Sequence, residues 1–177
     1  MGESIRRQLD LLMNAYGYNL YEQKNRARAD DLLVRERVAS LIGESAGALR
    51  NLRTDYRRRF VPPPSREQPT TPAVHLDALA ALARLQERLE GLETRVRSMP
   101  VPTNDRAWEH FRREHATLMD LLMRDYNLIV PAQQLRDAAQ ALRADAWNAE
   151  AGTELERLAD DIARAAQARA DFLATVG

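Results

Sequence analysis

A chain of 177 residues with 45% hydrophobic content is long enough for one domain and apolar enough to bury a core, which excludes disorder throughout. Charged residues make up 29% and cancel to a formal net charge of zero, so overall charge drives the protein toward neither nucleic acid nor an acidic membrane. With no cysteine, a disulfide framework, a thiolate zinc site and a cysteine nucleophile are all excluded.

The charge balance conceals a gradient along the chain. Residues 1 to 60 hold 12 Lys+Arg against 8 Asp+Glu, residues 61 to 102 hold 5 against 5, and residues 103 to 177 hold 9 against 13. A basic first third and an acidic last third can attract each other within one chain or between two. Arginine outnumbers lysine 25 to 1, a bias expected of GC-rich bacterial coding. The first residues are charged where a signal peptide needs its apolar run, and no stretch has the length of a membrane span. The expectation is a cytoplasmic protein without a membrane span.

Residues 1–60 are expected to form one long helix or two collinear ones, because Ser4 to Arg59 contains no proline and repeats an apolar residue every three to four positions. The stripe runs Ile5, Leu9, Leu12, Tyr16, Leu20, Ala27, Val34, Val38, Leu41, Leu49, Leu52 and Tyr56. Straight, it would extend roughly 84 Å, against a radius of gyration of about 16 Å for a compact domain of this size. The protein is therefore expected to be elongated, or the helix to bend at residues 43–47, where Gly43 and Gly47 lie four apart. Glycine in a helix costs roughly 1 kcal/mol, which a close helix crossing can offset.

Residues 61–73 form a linker, since Val61 to Pro72 contains five prolines and three of them in a row favour extended polyproline II geometry. Residues 74–177 are expected to form a helical bundle packing with the first helix. Its opening helix, near Ala73 to Met99, carries Leu82, Leu85, Leu89, Leu92, Val96 and Met99 at alternating steps of three and four. That is a heptad seam suited to helix packing or to an interface, although its length falls short of a persuasive coiled coil. A following helix is expected over about Asp105 to Val130, capped by Thr103 or Asn104, with Trp108, Phe111, His115, Leu118, Leu122, Tyr126 and Ile129 inward. Pro131 should kink it or begin another, with Leu135, Ala138, Ala139 and Leu142 as its apolar face. After a break at Trp147 and Asn148, a last helix aligns Ala151, Leu155, Leu158, Ile162, Ala165, Phe172 and Val176. No alternating strand pattern or hairpin dipeptide occurs. The fold expected is all-α: an elongated helical bundle or coiled coil of about five helices, built on the long N-terminal helix.

One cluster stands out as a binding site. Arg50, Arg53, Arg57, Arg58 and Arg59 surround a single Asp55 and interleave with Tyr56 and Phe60. Guanidinium forks can clamp phosphates or carboxylates, and aromatic rings can stack on bases. Cations also belong in the last turn of any helix, facing its negative end, so a solvated helix end is the plain alternative.

Metal chemistry finds little footing. His110 and His115 are five apart and point in different directions from a helix, and the Glu-x-x-His phrase of di-metal bundles is absent. Glu87, Glu90 and Glu93 lie opposite the leucine seam, and Glu154, Glu156, Asp160 and Asp161 sit early in the last helix, where acids are common. Helical ribonucleases of the HEPN type need a histidine shortly after an arginine, but Arg124 is followed at those positions by Ile129, Val130 and Pro131. No phosphate loop or nucleophile elbow occurs.

These patterns lead first to a non-enzymatic helical scaffold or adaptor that acts through protein partners, self-association among them, and requires no cofactor or metal. The second reading is a nucleic-acid or other polyanion-binding module using the Arg50 to Arg59 cluster. A metal-dependent helical hydrolase comes third.

Overall fold

The computed structural model describes residues 27–64, 66, 70–99 and 115–176, and these fold as helices joined by turns and an extended linker. Four helices occur among them: α1 (Ala27–Phe60), α2 (Ala73–Arg97), α3 (His115–Ala141) and α4 (Ala149–Val176). The apolar stripe from Ile5 to Leu20, the expected Thr103 or Asn104 cap, and Trp108, His110 and Phe111 lie outside the described residues.

Helix α1 is 34 residues long, about 51 Å at the standard rise. It runs unbroken through Gly43 and Gly47, so the chain does not fold back there. Close packing accounts for only one of the two glycines. A Cβ on Gly43 would come within 3.1 Å of a Glu93 carboxylate oxygen, whereas one on Gly47 would meet nothing within 4 Å.

Of the two expectations for Pro131, a new helix does not begin there, and α3 continues through it to Ala141. Proline removes the N–H that would bond to the carbonyl one turn earlier, at a cost of about 3 kcal/mol. Leu128, Ile129, Ala132 and Leu135 are all fully buried on either side of it. Each large apolar side chain so buried contributes about 1.5–3 kcal/mol, enough for one continuous face to outweigh the lost bond. The two helices expected over 105–145 are thus one over their described part, and the described residues hold four helices where about five were expected.

The direction of each helix follows from its polar contacts. Arg35, near the start of the described part of α1, donates to the carbonyls of Met99 at 2.9 Å and Arg97 at 3.3 Å, at the far end of α2. Tyr56, near the end of α1, meets His75 at the start of α2, so the two are antiparallel. Arg136 approaches Glu44 at 3.9 Å and Asp145 approaches Arg59 at 3.4 Å, which sets α3 parallel to α1. Arg88 with Asp160, and Arg95 with Gln167 at 2.7 Å, set α4 parallel to α2. Helix α1 packs on α2 and α3, and α4 packs on the same two. The result is an up-down-up-down bundle with the order α1, α2, α4, α3 around its axis.

A single core fills the centre. Val34, Val38, Leu41, Ile42 and Leu49 of α1 meet Leu82, Leu85 and Leu89 of α2, Ile129 and Leu135 of α3, and Leu155, Leu158 and Ile162 of α4. The whole heptad seam from Leu82 to Met99 is buried in this core. Local signals set the ends of the helices. Asn148 caps α4, its side-chain oxygen accepting from the Ala151 N–H at 2.8 Å, and Trp147 lies over Gly152, where a Cβ would come within 3.3 Å of the indole. Arg35, itself buried, supplies a cation to the last carbonyls of α2.

Candidate anion-binding cleft

Four of the five clustered arginines line one open cleft of about 780 Å³, where α1 ends, the linker turns and α2 begins. Arg50, Arg53, Arg57 and Arg58 project from successive turns of α1, and Val61, Pro62, Pro63, Pro64 and Leu79 form the apolar wall, with Thr54 and Thr71 completing the lining. The proline run stays extended because its ring-locked φ angles cannot continue the helix in series. Val61 closes the last turn by donating its N–H to the Arg57 carbonyl at 3.0 Å.

Two of the four guanidiniums are already engaged. Arg50 bonds through one nitrogen to Glu90 at 2.8 Å, and Arg58 through one nitrogen to Asp55 at 2.9 Å, all with exposed side chains. The Glu90 carboxyl is held below the ordinary glutamate range, first by the hydrogen bond from Gln86 and then by Arg50. Arg53 and Arg57 are exposed, line the same cleft and form no ion pair with any described residue. Arg59 falls outside the cleft, 3.4 Å from Asp145 and 5.9 Å from the centre of the Phe60 ring.

The aromatic residues interleaved with the arginines serve the fold. Tyr56 is buried, its hydroxyl sharing a 2.9 Å hydrogen bond with His75 Nδ1. Phe60 stacks on the same imidazole with ring centres 5.2 Å apart and planes at 16°, and Tyr56 tilts against Phe60 at 4.7 Å. These three rings fasten the end of α1 to the first turn of α2 beneath the linker. Among the described residues no aromatic ring lines the cleft.

An anion entering the cleft is opposed by the C-terminal end of α1, worth about 0.3–1 kcal/mol, and by the Glu90 and Asp55 carboxylates held on Arg50 and Arg58. Hydrogen bonds from a charged guanidinium contribute about 1.5–3 kcal/mol each, so two unengaged arginines prevail.

Four of the other acidic residues noted in the sequence are paired with arginines. Glu93 pairs with Arg97 at 3.0 Å, Glu154 with Arg157 at 2.6 Å, Asp160 with Arg88, and Asp161 with both Arg157 and Arg164. The bond from Arg157 holds the Glu154 carboxyl below its usual range and pushes the Arg157 guanidinium up. Among the described residues no three His, Asp or Glu side chains gather to hold a metal ion. The hydrolase reading therefore gains no support from them. The seam residues Leu82, Leu85, Leu89, Leu92, Val96 and Met99 face the core of their own chain.

One polar feature escaped the sequence reading. Asp125 of α3 and Arg169 of α4 form an ion pair with both side chains fully buried. The signal was present: Arg169 follows Ile162 and Ala166 and precedes Leu173 at helical spacing on the apolar face of α4, and Asp125 lies between Leu122 and Leu128 on that of α3. Opposite charges on two core stripes are a pairing signal.

Among the described residues no helix is long and apolar enough to cross a membrane. No family model, curated protein or solved structure matches the chain, so a functional reading rests on the cleft itself.

Proposed function

We propose that this chain is a non-enzymatic helical interaction module that takes an acidic segment of a partner protein into the cleft at the α1–α2 end. The observation that carries the reading is that Arg53 and Arg57 have no ion pair among the described residues and stand beside an apolar wall of Val61, Pro62–Pro64 and Leu79. Carboxylates satisfy the guanidiniums, and aliphatic side chains of the same segment cover the wall. Nucleic acid is the second reading, favoured by the same two cations. It lacks a stacking platform, because Tyr56 and Phe60 are committed to His75.

Fluorescence anisotropy with a short glutamate- and leucine-containing peptide and with an oligothymidine of equal charge separates the two. The peptide is expected to bind in a salt-dependent manner, and Arg53→Ala/Arg57→Ala to weaken it about tenfold or more. Binding of the oligothymidine alone would transfer the function to nucleic acid. Binding of neither, or of the peptide unaffected by the double substitution, would remove the cleft as a site.

A further inference from the structure

Within the acidic-partner reading, on which this inference rests, we infer that the cleft is built for one dianionic group: a phosphate monoester on a serine, threonine or tyrosine of the partner. The charges in the cleft point to it. Arg50 and Arg58 each face one carboxylate, of Glu90 and Asp55, while Arg53 and Arg57 face none among the described residues. These two lie four residues apart on α1, one above the other on the same face.

A carboxylate balances one of them. Two carboxylates balance both only if two separate side chains are ordered together, at the cost of their rotamer freedom. A phosphate monoester carries about −1.5 to −2 charge at neutral pH and presents three acceptor oxygens from one centre, so two guanidinium forks can share it.

The donors around the cleft also decide where the phosphate comes from. Pro62, Pro63 and Pro64 have no N–H, Val61 gives its N–H to the Arg57 carbonyl at 3.0 Å, and the Thr54 hydroxyl donates to the Arg50 carbonyl at 3.0 Å. Residues 61–64 thus build no backbone nest of the kind that holds free phosphate in many proteins, and beside Thr71 recognition falls on the arginine forks. The apolar wall, stiffened by its prolines, makes contact only with something attached to the phosphate. A peptide with apolar residues flanking the phosphorylated position meets both requirements.

The test uses the full chain and three labelled peptides of one leucine- and proline-containing sequence, with serine, glutamate or phosphoserine at the centre. The phosphopeptide is expected to bind about tenfold or more tightly than the glutamate peptide, and the serine peptide not measurably. Its binding should weaken severalfold between about pH 7.5 and about pH 5.5, as the second phosphate ionisation near pH 6 is lost, while the glutamate peptide stays unchanged. Arg53→Lys/Arg57→Lys keeps the charge but removes the forks, and should bring the phosphopeptide close to the glutamate peptide with an unchanged circular dichroism spectrum. Equal affinity of the phospho and glutamate peptides would overturn the dianion and leave the acidic-partner reading standing. No binding by either would overturn both. Capture by vesicles containing a phosphorylated inositol lipid without phosphopeptide binding, or displacement by inorganic phosphate at the same concentration as by phosphopeptide, would overturn the peptide as the source.

Discussion

Arg169 Nε lies 2.6 Å from Asp125 Oδ1 with neither side chain reaching solvent, so α3 and α4 are joined by charge inside the protein. Removing water from two charges costs several kcal/mol per ion, and their attraction must repay it. The two partners are therefore unequal to their sum. Arg169→Leu, which leaves the Asp125 carboxylate buried, is expected to cost about 3–5 kcal/mol, and Asp125→Leu/Arg169→Leu to recover much of that loss. Urea unfolding of the wild type, both single variants and the double variant measures the coupling. A double variant whose losses simply add would show that the pair does not act as a unit.

The leucine seam of α2 makes a different prediction. Leu89 is fully buried within the chain's own core, and Leu89→Ala should lower stability by about 2–5 kcal/mol through lost burial and the cavity left behind. The thermal midpoint should fall at every protein concentration. A variant with an unchanged midpoint that loses only self-association would identify the seam as an oligomer contact.

The two glycines of α1 should respond unequally to alanine. Gly47→Ala adds a methyl into open space and is expected to stabilise the helix by about 0.5–1 kcal/mol. Gly43→Ala gains the same propensity but forces the Glu93 carboxylate, 3.1 Å away, to shift. That carboxylate is the flexible end of a side chain already paired with Arg97, so the net change should be smaller and close to zero. Equal stabilisation by both, in thermal melts, would show that Glu93 yields without cost.

Arg57, Arg58 and Arg59 are expected to be replaceable by alanine with helix content nearly unchanged. Asp55, which pairs with Arg58, and Asp145, which pairs with Arg59, are exposed, and such pairs are worth about 0–1 kcal/mol each. Circular dichroism checks the expectation. Unfolding of the triple variant would make these arginines structural and would leave a loss of binding uninterpretable.

Acid should weaken the Arg50–Glu90 bridge only late. Its carboxyl is held below the ordinary range by Gln86 and Arg50, so the folded state binds a proton less readily than the unfolded one. The stabilisation is complete above the ordinary glutamate range and disappears as pH falls through the lowered folded value. The stability difference between wild type and Glu90→Gln should therefore stay constant from neutral pH to about pH 5 and shrink below about pH 4.3. A difference that already shrinks between neutrality and pH ~6 would contradict the assignment.

The all-helical class was legible because the apolar spacing of Val34, Val38, Leu41, Leu49 and Tyr56, and of Leu82 through Val96, translates directly into buried faces. Helix ends were legible where local chemistry decides them, as at Asn148 and the proline run. Continuity through Pro131 was not, because a local rule that normally ends helices was overridden by burial on both sides, which depends on what packs there. The arginine cluster was visible in the sequence, but its division was not. Whether a given guanidinium meets Glu90, Asp55, Asp145 or solvent depends on residues up to 86 positions away. For Asp125 and Arg169, composition treats charged residues as surface, and only their place on two apolar stripes opposes that.

Every described residue lining the cleft falls between Arg50 and Leu79, so the candidate binding surface comes from one contiguous stretch of the chain. Helices α3 and α4 contribute no lining residue and supply instead half of the core that holds the first hairpin in shape. Selectivity and foldedness are thereby inherited through separate segments. Substitutions that retune the arginines or the proline wall can accumulate without disturbing the Asp125–Arg169 half of the bundle, and repacking of that half can proceed without altering what the cleft accepts.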